Sequence, residues 1–231
     1  MSETAVTYEQ AVEPHGAGLE RVVQAPLSAF ACRALDLVVA SLALVLLSPL
    51  LLVVAIVIRL DSRGPALFRQ QRLGRDLRPF VVNKFRTMHV GTTNAEHVDF
   101  VQRLILGDAE RHQDLFKLAG DERVTRAGRF LRRSSLDELP QLLNVLRGQM
   151  SLVGPRPPLD YEVERYPLYA FGRFAVKPGI TGWWQVCGRS QLSFHEMIAL
   201  DLEYAARRSL WFNVRILART LPVVLLGRGA A

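Results

Sequence analysis

Residues 37–58 run for 22 positions without a formal charge, between Asp36 and Arg59. As a helix rising about 1.5 Å per residue, they would reach roughly 33 Å, enough to cross a hydrocarbon core of about 30 Å. No other stretch constrains the fold as much, because the rest of the chain must then fold at a membrane surface. Ser48-Pro49 stands at the midpoint of the run. Proline lacks an N–H and clashes with the carbonyl four residues earlier, so a kink is expected there. Two geometries fit: a kinked helix that still spans, which length favours, or two halves forming a re-entrant hairpin whose ends return to one face. Arg33 on one side, with Arg59 and Arg63 on the other, puts positive charge at both ends, which favours the hairpin. The run is too long for a signal peptide, follows a long acidic stretch and precedes no A-x-A site.

A chain of 231 residues holds one domain with such a membrane element appended. Lys and Arg number 29 against 22 Asp and Glu, a formal charge of +7. The N-terminal stretch holds Glu3, Glu9, Glu13 and Glu20 against Arg21, so the body is more basic than the total. Basic charge suits anionic partners: a phospholipid surface, nucleotide phosphates or nucleic acid. Cys32 and Cys187 lie far apart without CxxC spacing, which points to reduced thiols rather than a disulfide scaffold or zinc site. His15, His89, His97, His112 and His195 show no HxxxH or HExxH spacing, which argues against imidazole metal binding.

Residues 1–30 lack periodicity and are expected to be a disordered tail. Residues 66–73 and 80–85 are expected as two strands of a β-hairpin turning at Gly74-Arg75-Asp76. Helical spacing recurs over 98–106, with a further helical stretch at 114–118, and 134–146 and 194–206 are expected as helices. Gly154-Pro155-Arg156-Pro157-Pro158 can be neither helix interior nor central strand. Lys177 to Trp184 is a second rigid loop, glycine-rich, whose paired tryptophans suit a core, a pocket or the lipid headgroups equally. Residues 211–226 mix Asn213, Arg215, Arg219 and Thr220 with apolar residues, the pattern of an interfacial amphipathic helix.

The chemistry concentrates in residues 132–158. Asp137 and Glu138 are adjacent carboxylates between Arg132, Arg133, Arg147 and Arg156. Acid that can hold a metal, flanked by cations that can hold phosphate, suggests phosphoryl transfer. Helix capping alone also accounts for Ser135-Leu136-Asp137-Glu138, with Pro140 in a first turn. The functional reading places an ionised carboxylate at a helix start, able to act as nucleophile or to bind Mg²⁺ together with substrate phosphates. Arg132, Arg147 and Arg156 can make bidentate contacts to a diphosphate, joined by Lys84 and Arg86 if the hairpin folds over the site.

Gly64 to Gly74, Lys84-Phe85-Arg86-Thr87-Met88, Arg123-Val124-Thr125, Leu131 to Leu142, Asn144-Val145-Leu146, Met150 to Pro157 and Lys177-Pro178-Gly179-Ile180-Thr181-Gly182 resemble, in order, the bacterial sugar transferases. These are monotopic phosphoglycosyl transferases acting on polyprenyl phosphate. The resemblance is to their short form, without four extra N-terminal spanning helices. It implies that Asp137 is a nucleophile attacking the sugar-bearing phosphate of a UDP-sugar and contacting Mg²⁺, with Glu138 as its dyad partner. Arg132 and Arg156 match phosphate-binding positions, and Lys177 belongs to a matching motif. Undecaprenyl phosphate is the implied acceptor, in covalent ping-pong chemistry that initiates exopolysaccharide, capsule, O-antigen or glycan assembly. The family's apolar run is re-entrant and broken at the Ser-Pro pair, which moves Ser48-Pro49 towards the hairpin. Gln149, Cys187 and Ser190 depart from the usual pattern, where Gln149 replaces a frequent acid.

The resulting expectation is a mainly helical α+β fold. It comprises a tail (1–30), a re-entrant membrane helix-hairpin (31–60) and a cytosolic catalytic domain with a β-hairpin and interfacial amphipathic helices (61–231). Expected partners are a UDP-sugar, undecaprenyl phosphate, membrane phospholipid and a second copy of the chain as a homodimer. The expected location is the cytoplasmic face of the bacterial inner membrane. A non-catalytic membrane scaffold for polysaccharide assembly is the alternative, against which the intact Asp137-Glu138 pair argues. Nucleic acid is suggested by charge alone, with no recognition module visible.

Overall fold

The apolar run lies within one helix, α1 (Pro26–Asp61), in the computed structural model. The structure describes residues 26–92, 98–99, 103, 105, 121–188 and 192–225. Residues 1–25 of the expected tail and Ser190 lie outside these, as do the helical stretches at 98–106 and 114–118 apart from Val98, Asp99, Arg103 and Ile105; residues 26–30, expected in the tail, are instead the first turns of α1.

Pro49 sits inside α1 without dividing it into two elements, and Ser48 Oγ donates to Val45 O at 2.8 Å. A straight helix of 36 residues would reach roughly 54 Å, more than a bilayer core requires. One face of α1 rests on the rest of the chain at both ends. Near its start, Arg33 Nη1 donates to Val145 O at 2.6 Å, and Asp36 Oδ1 accepts from Ser151 Oγ at 3.0 Å and Leu152 N at 2.9 Å. Near its end, Val54 and Ile58 pack with Phe85 and Leu131, and Asp61 Oδ2 accepts from Ala127 N at 3.1 Å. The other face exposes Leu42, Val45, Leu46, Leu52 and Val53. A water-exposed stripe of this kind calls for lipid or a partner.

The hairpin forms as expected. Strands β1 (Leu67–Leu73) and β2 (Pro79–Phe85) pair antiparallel with Leu67 opposite Phe85 and Leu73 opposite Pro79. Alternation in β2 buries Phe80 and Val82 on one face, while Phe85 is buried on the other against Val54 and Ile58 of α1. Asn144, fully buried, ties this hairpin to the helical layer: its Oδ1 accepts from Asn83 N at 3.0 Å and its Nδ2 donates to Val81 O at 2.6 Å. Gln149, at one of the departures from the usual family pattern, accepts from the same Nδ2 at 2.8 Å.

The single helix expected over 134–146 is three elements. Helix α2 (Arg126–Ser134), capped by Thr125 Oγ1 accepting from Gly128 N at 2.9 Å, stops at Ser135. Ser135 is left-handed at φ 56, so it ends α2 instead of capping a following helix, and its side chain makes no capping bond. A 3-10 helix (Leu136–Gln141) follows, then α3 (Leu142–Leu146). Pro140, lacking an N–H, is tolerated in the tighter 3-10 turn and opposes an α-helix through it. The capping-box reading of Ser135 to Glu138 therefore fails. A capping box does occur at Ser193 and Glu196, where it starts a later helix.

Two three-residue strands, β3 (Ser151–Val153) and β4 (Gly179–Thr181), pair in parallel. Each is too short for periodicity to reveal, and β4 occupies part of the expected 177–184 loop. The loop following β3 lies so close to β4 that a Cβ on Gly154 would sit 2.3 Å from Lys177 O, and one on Gly179 would sit 2.1 Å from Gly154 N. Only glycine permits that approach. Short helices α4 (Asp160–Val163) and α5 (Trp183–Cys187) precede α6 (Phe194–Arg207) and α7 (Leu210–Leu225). Trp184 is core, while Trp183 donates Nε1 to Glu203 at 2.9 Å and carries Arg219 over its ring.

Candidate active site

The hairpin, the 3-10 helix and the second half of α1 enclose a cavity of about 1080 Å³. Its lining is of two kinds. Leu52, Ala55 and Ile56 of α1 supply apolar surface, and Asp137, Glu138, Arg132, Arg156 and Lys84 supply charge. The left-handed turn at Ser135 and the 3-10 helix after it set Asp137 and Glu138 on this cavity, both half-buried.

Lys84 reaches Glu138 from β2, with Nζ 2.9 Å from Oε1, and each side chain is about a third exposed (28% and 32%). Arg132, in the last turn of α2, donates Nε to Thr87 Oγ1 at 3.0 Å. Thr87 is in turn pinned by Thr125 N, which donates to its carbonyl at 3.0 Å. Asp121 and Arg123 also line the cavity, with Nη2 2.6 Å from Oδ2. Hydrogen bonding from Arg123 holds the Asp121 carboxyl below its ordinary range.

Arg156 projects from the proline-rich loop and is held from behind. Its Nη1 lies 3.1 Å from Oε2 of Glu162, which is fully buried. Arg173 Nη2 donates to the Arg156 carbonyl at 2.9 Å, its Nη1 donates to Tyr166 Oη at 2.7 Å, and Nη2 pairs with Asp201 Oδ2 at 2.7 Å. Burial pushes the Asp201 carboxyl up to about 6, against the opposing pull of Arg173. Arg72 steadies the same loop by donating Nη1 to Pro157 O at 2.8 Å, and burial with neighbouring Arg156 lowers it to about 10. Tyr161, pushed up to about 12 by burial and then Glu162, presents a neutral hydroxyl to the cavity.

Three expected phosphate ligands are placed differently. Arg86 is buried: Nε donates to Pro65 O at 2.7 Å, Nη1 to Ser62 Oγ at 2.7 Å and Nη2 to Ser62 O at 2.9 Å. It borders the cavity, but its guanidinium fastens the end of α1. Arg147 is exposed beyond α3, and Lys177 faces Arg33 across Gly148; neither lines the cavity.

The family model for bacterial sugar transferases matches residues 27–227. This chain belongs to the bacterial sugar transferase family. It is 45% identical over 202 residues to the UDP-glucose:undecaprenyl-phosphate glucose-1-phosphate transferase of Caulobacter vibrioides, covering 84% of this chain and 69% of that protein. It is 38% identical over 205 residues to the exopolysaccharide production protein ExoY of Rhizobium meliloti, covering 89% and 90%. The galactosyl transferase CpsE of Streptococcus agalactiae is 45% identical over 174 residues, and the match spans 75% of this chain but only 37% of CpsE.

Carboxylates at Asp137 and Glu138 fit a hard cation such as Mg²⁺, which takes one or two protein carboxylates and completes its shell with phosphate oxygens and water. Among the described residues no group of three or more His, Cys, Asp or Glu comes together, so a cage made by protein alone is not present there. The sequence reading assigned no role to Glu162, Arg173, Asp201, Arg72 or Tyr161. Asp201 had a usable signal, because it lies on the apolar stripe of α6 with Phe194, Met197, Ile198, Tyr204 and Ala205. A charge at such a position is buried and needs a partner.

Proposed function

We propose that this chain moves a sugar-1-phosphate from a UDP-sugar to undecaprenyl phosphate, through a covalent intermediate on Asp137, as the first membrane step of exopolysaccharide, capsule, O-antigen or glycan assembly. The observation that carries this reading is the mixed lining of one cavity. Acid and arginine suited to a nucleotide diphosphate share it with exposed apolar residues of α1 suited to a polyprenyl chain.

Arg132 and Arg156 bind the diphosphate, and their anchoring by Thr87 and by Glu162 with Arg173 fixes its orientation. Asp137, with Glu138 beside it, would hold Mg²⁺, which when bound offsets phosphate charge. A carboxylate oxygen of Asp137 attacks the phosphorus that bears the sugar. The bond from that phosphorus to the bridging oxygen breaks, and UMP leaves with the electron pair. An oxygen of undecaprenyl phosphate then attacks the same phosphorus, releasing the Asp137 carboxylate and forming the lipid diphosphosugar.

The membrane helix is re-entrant in this reading. A helix that crossed the bilayer would carry one end away from the body on which both ends of α1 rest. Trp211 (80% exposed) and Leu221 on α7 then sit among phospholipid headgroups. Nucleotide sugars are cytoplasmic, which puts the cavity on the cytoplasmic face of the bacterial inner membrane. The test incubates purified protein with Mg²⁺, undecaprenyl phosphate and a panel of UDP-sugars, including the glucose, galactose and N-acetylgalactosamine donors that relatives' names carry. UMP release that Asp137→Asn abolishes supports the reading, and undiminished release from that variant overturns it.

A further inference from the structure

We propose that Arg33 and Lys177 form a second anion site, distinct from the catalytic cavity, that takes the headgroup phosphate of an anionic phospholipid. The site begins with Gly148, whose φ of +78 is left-handed. A Cβ placed there would lie 3.6 Å from both Arg33 Nη2 and Lys177 Nζ, so two cations from distant parts of the chain converge over this residue. Arg208, between α6 and α7, and Arg75, in the hairpin turn, add positive field at Lys177. Arg75 is already paired with Asp76 at 3.1 Å.

Counter-charge is scarce. Asp36 is an acid whose charge reaches Lys177, and its Oδ1 is occupied by Ser151 Oγ and Leu152 N. Among the described residues Lys177 makes no hydrogen bond or ion pair. Arg33 gives one N–H from each terminal nitrogen to Val145 O and Leu146 O, at 2.6 and 2.9 Å, which leaves further donors for a ligand. Burial first and then Arg33 push the Lys177 ammonium below its ordinary range, an electrostatic strain that a bound anion would relieve.

The surroundings select a lipid as the source of that anion. Leu27 (79% exposed) and Phe30 (72%) project within two turns before Arg33, and Trp211 projects one turn after Arg208. Cations followed or preceded in the chain by exposed apolar and indole side chains match a phosphodiester with acyl chains beside it. This also explains why Lys177, expected among the phosphate ligands, lies away from Asp137.

Detergent-purified full-length chain, offered dioleoyl phosphatidylglycerol or dioleoyl phosphatidylcholine without nucleotide, tests this by native mass spectrometry. Preferential retention of phosphatidylglycerol is expected. Lys177→Gln should weaken it about tenfold, the scale of one charge-assisted hydrogen bond, and Lys177→Arg should preserve it. Lys177→Met, which keeps the apolar stem, serves if the glutamine variant does not fold. Equal retention of the two lipids, or unchanged retention in the neutral variants, overturns the site. Binding of inorganic phosphate without retention of phosphatidylglycerol overturns the lipid assignment. No turnover is read, so the outcome is independent of the proposed chemistry at Asp137.

Discussion

Glu162→Gln isolates the contribution of the buried network behind Arg156. The substitution keeps side-chain volume and one acceptor oxygen but removes the charge facing Nη1, 3.1 Å away. Removing one partner of a buried ion pair costs about 3–5 kcal/mol. Two features lower that figure here: glutamine still accepts a hydrogen bond, and the Arg156 side chain is 21% exposed and keeps some water. A loss of about 2 kcal/mol is expected, which in a chain of this size lowers Tm by about 4–8 °C. Catalysis should suffer more than folding. An arginine released from its anchor no longer meets the diphosphate in one geometry, and misplacement of about 1 Å costs on the order of a hundredfold. UMP release measured across UDP-sugar concentrations should therefore show kcat/KM reduced tenfold or more, by roughly that estimate, at a temperature well below the new Tm. A folded variant whose kcat/KM stays within about twofold of the native value would refute the positioning role, since a charge-assisted contact is worth more than that factor.

Asp201 has a folded pKa of about 6, above its ordinary 3.8, so its contribution to stability is present at low pH and is lost as pH rises through about 6. The Tm of Asp201→Asn relative to the native chain should accordingly rise between pH 5 and pH 7.5, by the equivalent of about 1 kcal/mol, and a flat difference would contradict the burial argument. Asn144→Ala removes the bonds joining β2 to α3 and should destabilise by about 2–3 kcal/mol, read as a lowered denaturation midpoint in detergent. Lys84→Gln breaks a pair about a third exposed and should cost less than about 1 kcal/mol in stability while lowering UMP release, because Glu138 loses its anchor in the cavity.

The parts of this fold that repeat a local period were legible in the sequence. The uncharged run marked the stretch that α1 occupies, although α1 continues through Ser48-Pro49 as one helix, and two short runs flanking Gly74-Arg75-Asp76 marked the hairpin. Segmentation of 126–146 was hidden, since one left-handed serine and one proline redirect a stretch whose apolar spacing looks continuous. Asp137, Glu138, Arg132, Arg147 and Arg156 were named as a group, and all of them but Arg147 line one cavity. Arg86 and Lys177 were named by charge and motif, but only tertiary packing tells a guanidinium that fastens a helix end from one that meets a ligand. Glu162 and Arg173 were missed for the converse reason: a buried charge carries no mark in sequence unless it interrupts an apolar stripe, as Asp201 does.

The nucleophilic role of Asp137 is tested most directly by intact-protein mass spectrometry after incubation with Mg²⁺ and the UDP-sugar that supports turnover, with lipid acceptor left out. A mass increase of one sugar-phosphate is expected, mapping to the peptide containing Asp137, absent from Asp137→Asn and discharged when undecaprenyl phosphate is added. Unmodified protein under conditions where complete mixtures turn over, or a modification that persists in Asp137→Asn, would contradict covalent transfer through this side chain.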